Sequence, residues 1–150
     1  MHVALIEPQI PPNTGNIVRL TAATGSPLHL IEPLGFELAA PELKRAGLDY
    51  WSHADIWVHK SWDEFRQAIG RDRSLYFSAN ATNDFWEAPF APNSCLIFGN
   101  ETAGMPAKLL AKYPERCFRI PMRQETRCLN LATAVGIVLY EGLRQLRGLE

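Results

Sequence analysis

The stretch Ile120-Pro-Met-Arg-Gln-Glu-Thr-Arg-Cys-Leu-Asn-Leu-Ala-Thr-Ala-Val-Gly-Ile-Val-Leu-Tyr-Glu141 decides the fold of this 150-residue chain. It opens as the exit of a short apolar strand, Cys117 to Ile120, and passes through a polar loop from Pro121 to Cys128. It then enters a helix that is apolar on nearly every side. Asn130 has the chemistry to cap that helix, because its side-chain oxygen can accept from the free N–H groups of the first turn. No Glu or Gln follows three residues on, so there is no capping box. Leu131, Val135, Val138 and Gly142 share one face, and Ile137, Leu139 and Leu143 cover much of another. A helix apolar all round is buried on both sides. In so short a chain, the second side predicts a homodimer through the C-terminal helix. Ala132, Ala134 and Gly136 leave room for other backbone to approach its first turns. A polar loop running directly into a buried helix is costly unless the loop has a ligand to hold.

Outward from this segment, short apolar runs alternate with helical stretches. Strands are expected at Val3 to Ile6, Leu28 to Ile31, Ile56 to His59, Leu75 to Ser78, Ser94 to Phe98 and Cys117 to Ile120. Between them, a helix capped by Asn13 or Thr14 runs to Thr24 and stops at Gly25, and a short helix lies around Glu42 to Ala46. A third helix, capped by Ser61, reaches Ile69, and a fourth spans Pro106 to Lys112. Glu7 to Pro12 is a proline-stiffened turn. Asn80 to Asn93 reads as a long polar loop, and loops of that length are usually functional or mobile. The alternation predicts βαβ units: an α/β fold whose mostly parallel central sheet is flanked by helices. In such sheets the ligand sits at the C-terminal ends of the strands. The loops leaving Ser78, Phe98 and Ile120 are therefore the expected site.

Composition bounds the function. An apolar share of 47% over 150 residues fits one domain with a real core and excludes disorder. No run is long enough to cross a membrane, and Met1 leads into a strand rather than a signal peptide. Three cysteines without metal-ligand spacing predict a reducing cytoplasm, no structural disulfide and no metal. The net charge of −1 gives the whole molecule no electrostatic footprint for nucleic acid, so any RNA site has to be a local patch.

Three segments carry a family resemblance: Pro11-Pro-Asn-Thr-Gly-Asn-Ile-Val-Arg19, Ile97-Phe-Gly-Asn-Glu-Thr-Ala-Gly-Met-Pro106, and Arg119-Ile-Pro-Met122 with Arg127-Cys-Leu-Asn-Leu131. Leu30-Ile-Glu-Pro-Leu-Gly-Phe36 and Arg45-Ala-Gly-Leu-Asp-Tyr50 add to it. In this order they resemble the SPOUT methyltransferases, specifically the branch that methylates ribose 2′-hydroxyls of tRNA. The resemblance covers essentially the full chain. It implies a C-terminal trefoil knot, which periodicity cannot show and which is rare among folds. It also implies S-adenosylmethionine as cofactor, S-adenosylhomocysteine as product and tRNA as partner. The implied target is the wobble cytidine or uridine of leucine tRNAs.

Residue by residue, the resemblance implies cofactor contacts at Ser78, Gly99, Ile120 and Cys128. Ile120, Met122 and Leu129 supply apolar walls suited to adenine, and main-chain groups around Cys128 can bond the ring edge. Glycine at position 99 permits close backbone approach. Arg19 is the implied catalytic residue, with Asn13 and Asn16 fixing the loop before it. A guanidinium stays protonated in proteins, so oxyanion stabilisation or a grip on the adjacent phosphate suits it better than general-base work. Asn130 combines its cap with an implied catalytic-site role. Glu101 is expected to order the site through loop N–H groups or a neighbouring arginine. The chain departs from the family pattern at Asn100, Ala103, Cys128 and Ala132, where relatives usually carry proline, arginine, serine and serine.

Arg116, Arg119, Arg123 and Arg127 form the best local phosphate patch, with Arg123 and Arg127 the expected RNA contacts. Trp57 reads as core, whereas Trp86, in the long loop, is the indole to test for base stacking. His53 and His59 read as isolated, and Cys95 and Cys117 as small core residues. Two other readings compete: a non-catalytic RNA-binding protein of the same fold, and a plain nucleotide-binding α/β domain. The second lacks a glycine-rich phosphate loop after the first strand.

Overall fold

Alternating burial along each strand builds two hydrophobic layers on one sheet. The computed structural model describes residues 1–147, the side chains of residues 44 and 46–49 excepted. Its elements are β1 (His2–Ile6), α1 (Pro11–Thr24), β2 (Leu28–Ile31), α2 (Pro41–Trp51), β3 (Ile56–His59), α3 (Trp62–Ala68), β4 (Ser74–Phe77), β5 (Asn83–Asp84), β6 (Cys95–Phe98), α4 (Ala107–Lys112), β7 (Cys117–Arg119) and α5 (Leu131–Arg147). Among the described residues the sheet has seven strands in the order β3-β2-β1-β6-β4-β7-β5, and every pairing is parallel. Val3, Leu5, Leu30, Leu75, Phe77, Leu96 and Phe98 point to the face covered by α1 and α5. Ala4, Ile6, Ile31, Tyr76 and Ile97 point to the face covered by α3 and α4. Val135, Val138 and Leu139 of α5 are fully buried, each worth about 1.5–3 kcal/mol of burial.

Several boundaries differ from the sequence reading. Neither Asn13 nor Thr14 caps α1, which begins at Pro11 with Ile10 at the N-cap and no side-chain cap. Proline fits the first helical positions because its missing N–H has no helical partner there. Gly25 ends the helix as expected, at φ 67°. The helix read at Glu42 to Ala46 extends from Pro41 to Trp51. Ser61 caps α3 as expected, its hydroxyl accepting from the Glu64 N–H at 3.1 Å. The long loop holds a seventh strand, β5, which pairs with β7.

Two aromatic readings are corrected. Trp57 is 55% exposed, because β3 is an edge strand and leaves the indole beside the His29 ring at 6.5 Å. His59 is not isolated. It is buried as the third ring of a row across β1, β2 and β3. His2 Nδ1 lies 2.9 Å from His29 Nε2, and His29 Nδ1 lies 2.9 Å from His59 Nε2. The Phe65 ring packs edge-on against His29 and His59.

Burial, then the facing His2 and His59 and the charge of Arg73, push the His29 imidazole down to about 3. Burial also lowers His2 and His59, although Asp55 and Glu64 pull the other way. An unfolded histidine titrates near 6.5, so below that pH the unfolded chain binds more protons and folding weakens. Stability is therefore expected to hold above pH about 6.5 and to fall as the pH drops toward 3. Each such histidine contributes at most about 1.4 kcal/mol per pH unit. Denaturant unfolding at stepped pH checks this, and His29→Leu should flatten the dependence.

Candidate functional site

Three neighbouring strands, β6, β4 and β7, deliver their C-terminal loops to one place. The loops after Phe77, Phe98 and Arg119 line a cavity of about 430 Å³ together with the first turns of α1 and α5. Ser78, Gly99, Ile120, Met122, Cys128, Leu129 and Asn130 all line it, as does Arg127. Phe77, Phe98 and Met105 add apolar surface, and Glu101 and Arg127 are its charged members. The volume falls in the usual range for small-molecule pockets. A mainly neutral lining of small, aliphatic and backbone groups suits an adenosine moiety.

The loop after β6 is shaped by its own backbone. A Cβ on Gly99 would collide with the main chain of Gly104 and Met105. The glycine is thus required first by the fold of residues 99–105, and only then by any ligand. Asn100 Oδ1 accepts from the N–H groups of Thr102 at 3.0 Å and Ala103 at 2.7 Å. The Asn100 carbonyl also closes the turn, accepting from the Gly104 N–H at 3.0 Å. The departure from proline at this position therefore leaves a bonded loop rather than a loose one.

Glu101 does what α1 cannot do for itself. Its carboxylate accepts from the backbone N–H of Gln9 at 2.8 Å and of Ile10 at 3.1 Å, and from Asn13 Nδ2 at 3.4 Å. No acidic residue occupies the first turn of α1, so this carboxylate also answers the positive end of the helix dipole. Asn13, buried within α1, accepts in turn from Asn130 Nδ2 at 2.9 Å. Asn130 Oδ1 accepts from the Thr133 N–H at 3.3 Å, the cap expected from sequence. The chain Glu101–Asn13–Asn130 ties together the three segments that define the cavity. Sequence reasoning singled out all three residues but had no signal for their mutual contact, because they are scattered along the chain.

Arg19 is not among the lining residues. It is exposed on α1, with its guanidinium 4.8 Å from the centre of the Tyr50 ring. The four-arginine patch divides into two pairs. Arg116 donates to the carbonyls of Ser74 and Asp72 at 2.8 and 2.6 Å, and Arg119 pairs with Asp84 at 2.9 Å. Arg123 and Arg127 are exposed and, among the described residues, form no ion pair. Cys95 and Cys117 are buried free thiols, and Cys128 is exposed. Trp86 is 57% exposed and lies beside the end of α5, where its carbonyl accepts from Gln145 at 3.3 Å. Among the described residues no cluster could hold a metal ion, and no helix is long and apolar enough to cross a membrane.

Comparison with known proteins matches this geometry to a family. The profile of the SpoU rRNA Methylase family matches residues 1–140. A tRNA (cytidine(34)-2′-O)-methyltransferase of Burkholderia ambifaria is 46% identical over 147 residues, which cover 96% of this chain and 94% of the relative. A solved structure described as giving insights into the 2-OH methylation of C/U34 on tRNA is 47% identical with a TM-score of 0.90, covering 98% of this chain and 96% of the other. The AdoMet-bound rRNA methyltransferase of Sinorhizobium meliloti is 28% identical with a TM-score of 0.83, covering 97% of this chain and 56% of that one.

Proposed function

This chain belongs to the SpoU rRNA methylase family, and on that premise we propose that it methylates the ribose 2′-hydroxyl of the wobble cytidine or uridine of tRNA, in leucine tRNAs, in the cytoplasm. S-Adenosylmethionine is the cofactor and S-adenosylhomocysteine the product. The observation that carries this reading is the convergence of Ser78, Gly99, Ile120, Met122, Cys128 and Leu129 on one cavity. In it, the loop backbone of residues 99–105 and of the Cys128 region binds adenine edges, while Ile120, Met122 and Leu129 wall the ring and exclude water. Residues 1–150 act as one domain. The trefoil knot belongs to the same reading, supported by the insertion of β7 between β4 and β5, both of which precede it in the chain.

Bound in that cavity, the cofactor supplies an electrophilic methyl. The protein's work is positioning and charge stabilisation. Asn130, held by Asn13, keeps the β7–α5 loop shaped around the site. Arg19 stabilises the developing 2′-oxyanion or grips the adjacent phosphate from outside the cavity, with its guanidinium laid on Tyr50. Arg123 and Arg127 meet tRNA phosphates. Mass spectrometry of leucine tRNA incubated with the pure protein and S-adenosylmethionine tests the whole reading. A 2′-O-methyl group at the wobble nucleoside is expected, and its absence leaves the non-catalytic RNA-binding alternative.

The dimer is part of the proposal. In α5 the core takes Leu131, Val135, Val138 and Leu139, with Leu143 packed against it, so of the second face read as Ile137, Leu139 and Leu143 only Ile137 is left to meet a second copy. The outward stripe is Thr133, Ile137 and Tyr140, with Ile137 37% and Tyr140 55% exposed. These three recur at helical spacing and form a face suited to a second copy. A site lacking Arg19 in its own lining is completed beside such a contact. Ile137→Glu with Tyr140→Glu is expected to give a monomer by analytical ultracentrifugation at micromolar concentration, with methyl transfer lost. A fully active monomer would remove the dimer from the mechanism.

A further inference from the structure

A second cavity, of about 260 Å³, opens between α3 and α4 and is lined by Trp62, Arg66, Arg71, Lys108, Lys112 and Tyr113, with Asp63 as its one carboxylate. It lies on the sheet face opposite α1 and α5, outside the site described above. Its charge is opposite in sign to that of the chain, whose net charge is −1. Among the described residues none of its four cations forms an ion pair.

The cavity has a fixed floor. Arg66 donates to Ser74 Oγ at 2.7 Å and to the Tyr76 hydroxyl, and its guanidinium sits 4.9 Å from the Trp62 ring centre and 5.9 Å from that of Tyr113. All of these partners are neutral. Burial raises Tyr76 despite the pull of Arg66, so the phenol stays protonated and offers no countercharge. A guanidinium held by neutral groups is a preorganised, uncompensated anion receptor.

The rim breaks local rules. Lys108 stands in the first turn of α4, where the helix dipole disfavours a cation, and it meets a like charge four residues on at Lys112, which itself suits the last turn. Lys112 Nζ lies 5.4 Å from the Tyr113 ring centre. Local stability accounts for Lys112 but gives no reason for Lys108, and a locally unfavourable charge of this kind is what functional positions carry. Flat aromatic walls beside clustered cations suit a phosphodiester with an attached sugar or base.

We infer that this cavity is a second phosphate-binding site, which takes the sugar–phosphate backbone of tRNA away from the nucleoside being methylated. The inference rests on the tRNA substrate proposed above. The test uses the full chain with Lys108→Ala and Lys112→Ala combined, and with both lysines changed to Arg. Binding to tRNA is measured from 50 to 200 mM salt, roughly the range over which counterion release is legible. In the Ala pair the affinity should fall about tenfold at the low-salt end, and the salt slope should fall by about one to two. Calorimetric affinity for S-adenosylmethionine and the transfer rate at saturating tRNA should not change, and the Arg pair should restore binding. Unchanged tRNA affinity and slope would overturn the inference. So would tight binding of adenosine monophosphate that the Ala pair abolishes while tRNA binding stays intact, since the site would then serve a free nucleotide. If the unaltered protein binds tRNA through this cavity but transfers no methyl, the catalytic reading fails and this one stands.

Discussion

Glu101→Ala is expected to cost the protein its cofactor site before it costs the fold. Removing the carboxylate strips acceptors from the N–H groups of Gln9 and Ile10 and from the Asn13 amide. Hydrogen bonds to a charged group are worth about 1.5–3 kcal/mol each, and α1 has neither a side-chain cap nor a first-turn acid to take over. The first turn of α1 should loosen, and Asn13 should lose its hold on Asn130. With about 3 kcal/mol of that loss falling on the cofactor site, affinity for S-adenosylmethionine should fall about a hundredfold. Glu101→Gln keeps the shape but turns an amide N–H₂ toward donors, so it should recover only part of the loss. Calorimetric titration beside a denaturant melt separates the two effects. Wild-type cofactor affinity in a folded Glu101→Ala protein would show that the clamp is ornamental to binding.

The strands are legible because parallel strands buried on both faces read as unbroken apolar runs, as in Val3 to Ile6 and Cys95 to Phe98. Helix starts are less so. Asn13 and Thr14 have capping chemistry, which obscured the simpler signal of Pro11 and Pro12. The true acceptor for that turn lies 91 residues away from Ile10, and no local pattern encodes such a partner. The sequence does not mark Trp57 as exposed, because exposure depends on strand order and β3 lies at the sheet edge. The row His2, His29, His59 depends on the same order, since only the β1-β2-β3 adjacency brings the rings into contact. β5 is two residues long and too short to show a period.

The site shows a similar division. Motif matching picked out Ser78, Gly99, Ile120, Cys128 and Asn130, which line one cavity. It also grouped Arg116 and Arg119 with Arg123 and Arg127, although the first two are spent on carbonyls and on Asp84. Charge count alone cannot tell an arginine that braces a strand from one that waits for phosphate. The basic cavity escaped for a related reason. Arg66 and Lys108 belong to helices far apart in the chain, and only the layer shared by α3 and α4 unites them.

Arg19→Ala is expected to leave S-adenosylmethionine affinity nearly intact and to slow methyl transfer steeply. Its guanidinium lies outside the cavity lining, so no cofactor contact is lost with it. Removing one preorganised oxyanion donor typically costs roughly 3–4 kcal/mol, a fall of about 10²–10³ in rate. On the proposed role of Arg19, Tyr50 would contribute to that preorganisation, since the guanidinium lies 4.8 Å from its ring centre. A cation–π contact of this exposed kind is worth about 0.5–1 kcal/mol, so Tyr50→Leu should lower the rate several-fold and no further. Arg19→Lys should rescue little, because a point ammonium lacks the planar fork and stacks less well. Arg127→Ala should behave differently, weakening tRNA binding and lowering the salt slope by about one while sparing the rate constant. Single-turnover transfer at saturating tRNA distinguishes these cases. A normal rate constant in Arg19→Ala, with only a raised tRNA requirement, would make Arg19 a phosphate clamp and leave the 2′-oxyanion to another group.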